Sequence, residues 1–282
     1  MKRAVLLLAV VLVPFAAHAG IDDAGAIPWV KDSGRDVYKE KFLAGQKHKA
    51  FAISKAGNHG WSVERDSASR AARSALYNCF KNSTQRCFLY AVDDKLILDD
   101  YAASEEEAKA ALGKLALPAK KAYADEDRDT GVSPTESIKQ GNLHEPTPTT
   151  VAVAKTVTTS SLVEMLASAT KPVVLDVLLP TDSFRKALLP SAYWISGAGI
   201  FDEKNNTKID DYFAKIMSDI APKKDTPIVV YCLSWECWLS PNALLRLSKQ
   251  GYTNLYWYRG GIESWQRAGL PTVEAPLSAQ VR

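Results

Sequence analysis

Pro227-Ile228-Val229-Val230-Tyr231-Cys232-Leu233-Ser234-Trp235-Glu236-Cys237-Trp238 is the stretch that decides the fold of the C-terminal part of this chain. Residues 227–231 form a continuous apolar run, which is typical of a strand buried on both faces of a parallel sheet. A loop follows, and residues 242–249 then show a helical pattern. Cys232 therefore lies directly after a buried strand, at the sheet edge where open α/β folds bind their ligands.

The sequence on both sides of this stretch alternates strands with helices. Further strands are predicted at residues 172–177, 192–195 and 254–258, and helices at residues 162–168, 209–220 and 262–268. Such alternation is typical of a parallel sheet covered by helices. We therefore predict an α/β domain over residues 160–276, with a parallel sheet flanked by helices.

A small α+β domain is predicted for residues 20–124. Its strands include residues 50–54 and 88–92, and a helix runs from about Asp66 to residue 80. Cys79 and Cys87 flank the loop between this helix and the next strand, and the spacing favours a structural disulfide. A metal site is the weaker alternative, because no further ligands follow at a suitable spacing. We predict no bound metal.

Residues 125–159 differ in composition from both neighbouring segments. They are rich in charged residues, proline, threonine and serine, and they show no apolar periodicity. Such composition is typical of flexible linkers. We predict a flexible linker here between the two domains.

The chain begins with the pattern of a secretory signal peptide. Lys2 and Arg3 precede an apolar run, and Ala17-His18-Ala19 supplies a small-x-small cleavage site, so we predict a signal peptide over residues 1–19. A membrane anchor is the alternative, but the run is short for a spanning helix, and no later segment is apolar enough. This start is typical of bacteria and predicts the periplasm, where paired cysteines become disulfides. The formal net charge of +3 is too small to indicate nucleic-acid binding.

The position of Cys232 suits sulfur chemistry. A loop that leads into a helix N-terminus directs backbone N–H groups inward, and these stabilise a thiolate or a persulfide. A phosphatase of the related loop type needs an arginine six positions later, where this chain has Trp238. A Cys–His hydrolase needs a histidine base. The last histidine of the chain is His144, in the predicted linker. The alternative is that Cys232 is a buried core residue with a packing role only.

Several motifs in order resemble a rhodanese domain. They are Leu175-Asp176-Val177, Leu189-Pro190-Ser191-Ala192, Val229-Val230-Tyr231-Cys232, Gln250-Gly251-Tyr252 and Tyr258-Arg259-Gly260-Gly261-Ile262-Glu263-Ser264-Trp265. More narrowly, Cys237-Trp238 after Cys232 is similar to periplasmic rhodanese-like proteins named for a Cys…Cys-Trp motif and associated with PQQ-dependent (quinoprotein) alcohol catabolism. The resemblance implies a sulfurtransferase without an organic cofactor. Cys232 would carry a persulfide, and the loop residues Leu233, Ser234, Trp235, Glu236 and Trp238 would bind the substrate.

The second loop cysteine leaves three functions open. In the first, Cys237 is the thiol that resolves a persulfide on Cys232. In the second, the two cysteines form a thiol–disulfide relay. In the third, their disulfide only stabilises an inert rhodanese-like binding module. Glu236 would repel thiosulfate, which is a dianion. An apolar sulfane-sulfur donor or a protein thiol is therefore the expected partner, and the narrower resemblance adds a periplasmic quinoprotein system.

Overall fold

The computed structural model describes residues 20–83, 87–179, 187–195 and 197–273. The signal peptide predicted at residues 1–19 lies outside these ranges. Within them, no helix combines the length and the apolar character that crossing a membrane requires.

The N-terminal domain is an antiparallel sheet with helices on both faces. Its elements are α1 (Asp32–Val37), a π-helical turn (Tyr38–Leu43), β1 (His48–Ser54), β2 (His59–Arg65), α2 (Ala68–Lys81), β3 (Cys87–Val92), β4 (Lys95–Leu96) and α3 (Ile97–Leu112). The strand order is β2-β1-β3-β4. Because side chains alternate along a strand, Ala52 of β1 packs against α2, whereas Phe51 packs against Tyr38 and Phe42 on the opposite face.

A disulfide closes the loop between α2 and β3. It joins Cys79 to Cys87 with a Cα–Cα distance of 6.2 Å. Both cysteines are buried, and they lie in the apolar cluster between α2 and the sheet. The bond thus fixes the end of the helix to the start of the strand.

The C-terminal domain is a five-stranded parallel sheet between helices, which confirms the predicted α/β fold. Its elements are β5 (Lys155–Val157), α4 (Thr159–Ala167), β6 (Val173–Asp176), β7 (Ala192–Trp194), α5 (Asn206–Ile220), β8 (Ile228–Tyr231), α6 (Leu239–Lys249), β9 (Leu255–Tyr258) and α7 (Gly261–Arg267). The strand order is β5-β9-β8-β6-β7. All four residues of the central strand β8 are buried, as its unbroken apolar run predicted.

The two faces of this sheet bury separate apolar clusters. Val230 of β8 faces α5 and α6, together with Phe213 and Leu244. Val229, the next residue along β8, faces the side of α4 and α7, together with Leu162 and Trp265. Helices therefore cover both faces of the sheet at β8. A binding site is accordingly expected in the loops at the edge of the sheet.

Residues 125–159 pack against the C-terminal domain instead of forming a flexible linker. Residues 155–157 are β5, which pairs with β9 at the edge of the sheet. Glu126 is only 3% exposed and Thr147 is fully buried. Composition indicated a linker because the segment lacks apolar periodicity, but it is bound through backbone groups and a few polar side chains. We name residues 123–149 the covering segment.

Candidate functional site

Cys232 lies at the carboxyl end of the central strand. It follows Tyr231, the last residue of β8, and β8 is flanked by β6 and β9. Backbone N–H groups of α7 fix the start of the loop, because Ile262 N donates to Cys232 O at 3.1 Å and Glu263 N to Leu233 O at 3.1 Å. The side chain is only 1% exposed. The sulfur therefore lies in a closed, mainly apolar site.

Cys232 and Cys237 are joined by a disulfide across the loop. Their Cα atoms are 6.3 Å apart, and Cys237 is fully buried. The sequence left open whether these two cysteines bond, and the structure brings them together. The pair can therefore exist as a dithiol or as a disulfide without a large rearrangement of the backbone.

Three N–H groups of the loop bind protein acceptors. Glu236 N donates to Ser234 Oγ at 3.3 Å, and Cys237 N donates to Ser234 O at 3.2 Å. Trp238 N donates to Leu143 O at 3.0 Å. The sequence predicted that N–H groups of residues 233–238 stabilise sulfur on Cys232, and these three are instead engaged elsewhere. The acceptor of Trp238 N, Leu143 O, belongs to the covering segment, which the sequence predicted to be a linker.

A serine and a tryptophan that the sequence did not single out adjoin the sulfur of Cys232. Ser240 Oγ, in the first turn of α6, lies 3.2 Å from Cys232 Sγ. Trp257 Nε1, on β9, donates to Ser240 Oγ at 2.9 Å. The backbone carbonyl of Cys237 also lies 3.2 Å from Cys232 Sγ. Ser240 and Trp257 are both buried. Trp257 and Ser240 lie on different elements, so no local sequence signal joins them.

The aromatic residues of the loop are covered by cations from outside it. The guanidinium groups of Arg128 and Arg259 lie 5.4 and 5.9 Å from the Trp235 ring centroid, and Lys139 Nζ lies 5.0 Å from that of Trp238. Such distances allow cation–π attraction. Residues 233–238 contain no cation of their own, so the local sequence does not indicate positive charge next to these tryptophans.

The remaining loop residues differ in exposure. Ser234 is buried and Leu233 is partly buried, whereas Glu236 is exposed. An exposed carboxylate is screened by water and salt. The predicted repulsion between Glu236 and a dianionic donor is therefore weaker than the sequence suggested.

The covering segment pairs with the cysteine loop like an added strand. His144 forms an isolated antiparallel bridge with Cys237, and Thr147 N donates to Trp235 O at 3.1 Å. The indole Nε1 of Trp238 donates to Pro146 O at 3.2 Å. The linker thus folds back onto the loop. The side chain of His144 is exposed, however, whereas Cys232 is buried, which does not favour a Cys–His hydrolase.

Two buried polar residues hold the covering segment. Arg259 donates from Nη1 to the carbonyl oxygens of Glu126 and Arg128, and from Nη2 to that of Thr147. The Glu126 carboxylate accepts hydrogen bonds from the N–H and the hydroxyl of Thr159. Burial raises the pKa of the Glu126 carboxyl, although these hydrogen bonds lower it. Both contacts tie the segment to the end of the sheet near Cys232.

The arginine of α6 is also engaged. Arg246 of α6 pairs with Asp210 and donates to Ile200 O at 2.7 Å. In the described ranges, no group of three or more His, Cys, Asp or Glu side chains could hold a metal ion.

The C-terminal part of the chain thus combines a five-stranded parallel sheet with a cysteine after its central strand. Residues 158–268 match the family described as the rhodanese-like domain. This part of the chain is a rhodanese-like domain, as its motifs predicted. Among curated proteins, none matches the chain.

Two solved structures are similar to part of the chain. A full-length protein from Lactobacillus plantarum is 24% identical, with a TM-score of 0.31, and the match covers 41% of this chain and 82% of that protein. The polysulfide-sulfur transferase homodimer from Wolinella succinogenes is 16% identical, with a TM-score of 0.32 and coverages of 43% and 80%.

Proposed function

We propose that this protein is a sulfurtransferase that carries sulfane sulfur as a persulfide on Cys232. The observation that carries the proposal is the bonded pair Cys232–Cys237 at the carboxyl end of β8, inside a rhodanese-like domain. Ligands of parallel sheets bind at this edge. A thiolate there is a nucleophile, and a second thiol within bonding distance can complete the reaction.

The proposed reaction has two sulfur–sulfur exchanges. The Cys232 thiolate attacks the sulfane sulfur of a donor, a Cys232–S–S⁻ persulfide forms, and the donor leaves as a thiolate or, from thiosulfate, as sulfite. The Cys237 thiolate then attacks Cys232 Sγ, and the bond from Cys232 Sγ to the outer sulfur breaks. The Cys232–Cys237 disulfide forms, and the outer sulfur takes a proton from water and leaves as hydrosulfide. An external dithiol reduces the disulfide by two electrons and is itself oxidised. Transfer of the outer sulfur to an acceptor thiol, without Cys237, regenerates the Cys232 thiolate.

A thiol–disulfide relay is the second candidate, and the same bonded pair favours it. The relay exchanges electrons with a partner dithiol and never holds an extra sulfur atom. An inert binding module is the third, with the disulfide as a purely structural bond. The three candidates differ in whether reduced Cys232 gains sulfur and whether the disulfide exchanges with thiols.

The covering segment bears on the choice of donor. It pairs with the loop at Trp235 and Cys237, and Cys232 in the same loop is only 1% exposed. A donor therefore reaches the sulfur only when this segment moves or when the donor is small and enters beside it. We assign a small sulfane-sulfur compound or a protein persulfide as the donor class.

The compartment and the partner belong to the same proposal. The predicted signal peptide at residues 1–19 supports export to the periplasm. There the disulfide forms unless a reducing partner acts on it. The Cys…Cys-Trp motif supports a role beside a quinoprotein system.

The test is intact mass spectrometry of the full chain after reduction, with and without a polysulfide or thiosulfate donor. Wild type should gain the mass of one sulfur atom only transiently, with hydrosulfide released and the disulfide restored. Cys237→Ser should keep the added sulfur, because the resolving thiol is absent. Cys232→Ser should gain none at this site.

The outcomes separate the three candidates. A sulfur atom that Cys237→Ser retains and Cys232→Ser lacks supports the persulfide. Failure of Cys237→Ser to gain sulfur from either donor overturns it. In that case, exchange of the wild-type disulfide with a dithiol at a rate above that of the Cys79–Cys87 disulfide indicates the relay. Equal inertness of both disulfides indicates the binding module.

A further inference from the structure

We infer that Ser240, oriented by Trp257, supplies the hydrogen bond that holds the Cys232 sulfur in its reactive anionic form. This assignment rests on the proposed function, because it concerns the sulfur that would carry the persulfide. Ser240 Oγ contacts that sulfur directly at 3.2 Å. Trp257 acts through Ser240 and is a positioning residue.

The direction of the hydrogen bond follows from the chemistry of the two groups. An indole N–H is a donor only, so Ser240 Oγ accepts from Trp257 Nε1 at 2.9 Å. The single hydroxyl hydrogen of Ser240 is then free for a second partner, and Cys232 Sγ is the one at hydrogen-bond distance. A disulfide sulfur or a thiolate carries no hydrogen. Ser240 is therefore the donor in both states.

Several other polar groups near the sulfur do not offer the same stabilisation. The carbonyl of Cys237, also 3.2 Å from Cys232 Sγ, accepts a hydrogen bond and so favours the protonated thiol. The N–H groups of Glu236, Cys237 and Trp238 donate to Ser234 and Leu143. Arg259 donates to the covering segment. The Ser240 hydroxyl thus opposes the carbonyl at a buried sulfur, where an anion without a donor is costly.

The three residues of this arrangement are buried. Cys232, Ser240 and Trp257 are each 1% exposed or less. They come from three elements, the end of β8, the first turn of α6 and the centre of β9. Water does not readily replace a hydroxyl in such a site, so deletion of the hydroxyl leaves the sulfur without this donor.

The test is the pH dependence of Cys232 alkylation in the reduced full chain, followed on the Cys232 peptide by mass spectrometry. Ser240→Ala should move the midpoint of the profile upward and slow alkylation at neutral pH about tenfold, the effect of one pKa unit. Ser54→Ala is the matched control, because Ser54 is a fully buried serine of the N-terminal domain. Its profile should equal that of wild type.

A second pair covers the case in which Ser240→Ala does not fold. Threonine and valine have nearly the same shape and differ in the hydroxyl. Ser240→Thr should therefore keep a lower midpoint than Ser240→Val. Equal midpoints in the folded pair, or a wild-type midpoint for folded Ser240→Ala, overturn the inference. Alkylation needs no sulfur donor, so a failure here is distinguishable from a failure of persulfide formation.

Discussion

The guanidinium group of Arg259 binds both the side-chain hydroxyl and the backbone carbonyl of Thr147. Nε of Arg259 donates to Thr147 Oγ1 at 3.1 Å, and Nη2 donates to Thr147 O at 2.9 Å. Thr147 Oγ1 in turn donates to Trp235 O. An arginine beside the Gly-Gly motif thus connects the covering segment with the cysteine loop. We predict that this connection controls access to Cys232.

Thr147→Val should loosen the covering segment. Valine keeps the shape of threonine but loses the hydrogen bonds with Trp235 and Arg259. We expect a loss of about 2 kcal/mol in the free energy of unfolding, since buried partners are left unpaired. Alkylation of reduced Cys232 should become about tenfold faster, the factor that corresponds to 1.4 kcal/mol of opening free energy.

Thr156→Val is the control for this substitution. Thr156 is exposed on β5, and its hydroxyl donates to Thr149 O at 2.9 Å. This change therefore also removes a hydrogen bond to the covering segment, but none to the cysteine loop or to Arg259. The rate of Cys232 alkylation should stay at the wild-type value in this variant. If Thr147→Val is alkylated no faster than Thr156→Val, the covering segment does not control access.

Glu126 should make stability depend on pH. Burial raises the pKa of its carboxyl, so the folded protein binds this proton more tightly than the unfolded chain does. The resulting stabilisation is fully present below the ordinary pKa of 4.5 and is lost as the pH rises through the raised pKa. From pH 4.5 upward, the free energy of unfolding should fall less steeply in Glu126→Gln than in wild type.

Denaturant titrations at a series of pH values measure this slope. Glu164→Gln is the matched control, because Glu164 is exposed on α4, the helix that Thr159 begins. It should keep the wild-type slope. An unchanged slope in Glu126→Gln would show that Glu126 does not titrate in this range.

The sequence predicted the position of Cys232 well because that position depends on local pattern. Residues 227–231 form an unbroken apolar run, and the structure buries all of β8. The cysteine after such a strand lies at the sheet edge by geometry alone. The contacts of Ser240 could not be predicted in this way, because Trp257 meets it from a different element.

The covering segment was missed for a related reason. Its contacts use the backbone carbonyls of Leu143, Pro146 and Thr147, which every residue type possesses. Buried polar anchors such as Glu126 do not recur with a helical or strand period. The composition of the segment therefore indicated only that an apolar, core-facing pattern is absent. Binding of the cysteine loop through backbone groups cannot be predicted from composition.

The disulfide of the N-terminal domain should stabilise that domain without affecting sulfur chemistry. Cys79 and Cys87 are eight positions apart in the sequence, so the double change Cys79→Ala and Cys87→Ala should cost about 2 to 3 kcal/mol of unfolding free energy. Denaturant titration measures the loss. Sulfur uptake by reduced Cys232 should match that of wild type, and its loss would show that the two domains act together.

Gly261→Ala should lower the free energy of unfolding by more than its left-handed backbone conformation alone would cause. Gly261 has a φ of 61°, and a Cβ there would lie 2.4 Å from Leu233 O and 2.5 Å from Cys232 O. Gly251, with a φ of 88° and open space around it, provides the control. Gly251→Ala should cost about 1 kcal/mol from the left-handed backbone alone.

The Gly261 substitution must in addition push the loop away from α7. This movement weakens the bonds from Ile262 N and Glu263 N that fix Cys232 and Leu233. We therefore expect a loss of about 3 kcal/mol, the size typical of a severe steric substitution, together with a changed rate of Cys232 alkylation. Denaturant titration and peptide-resolved alkylation measure the two effects. Equal losses in the two glycine variants would mean that the close approach of α7 does not position the cysteine.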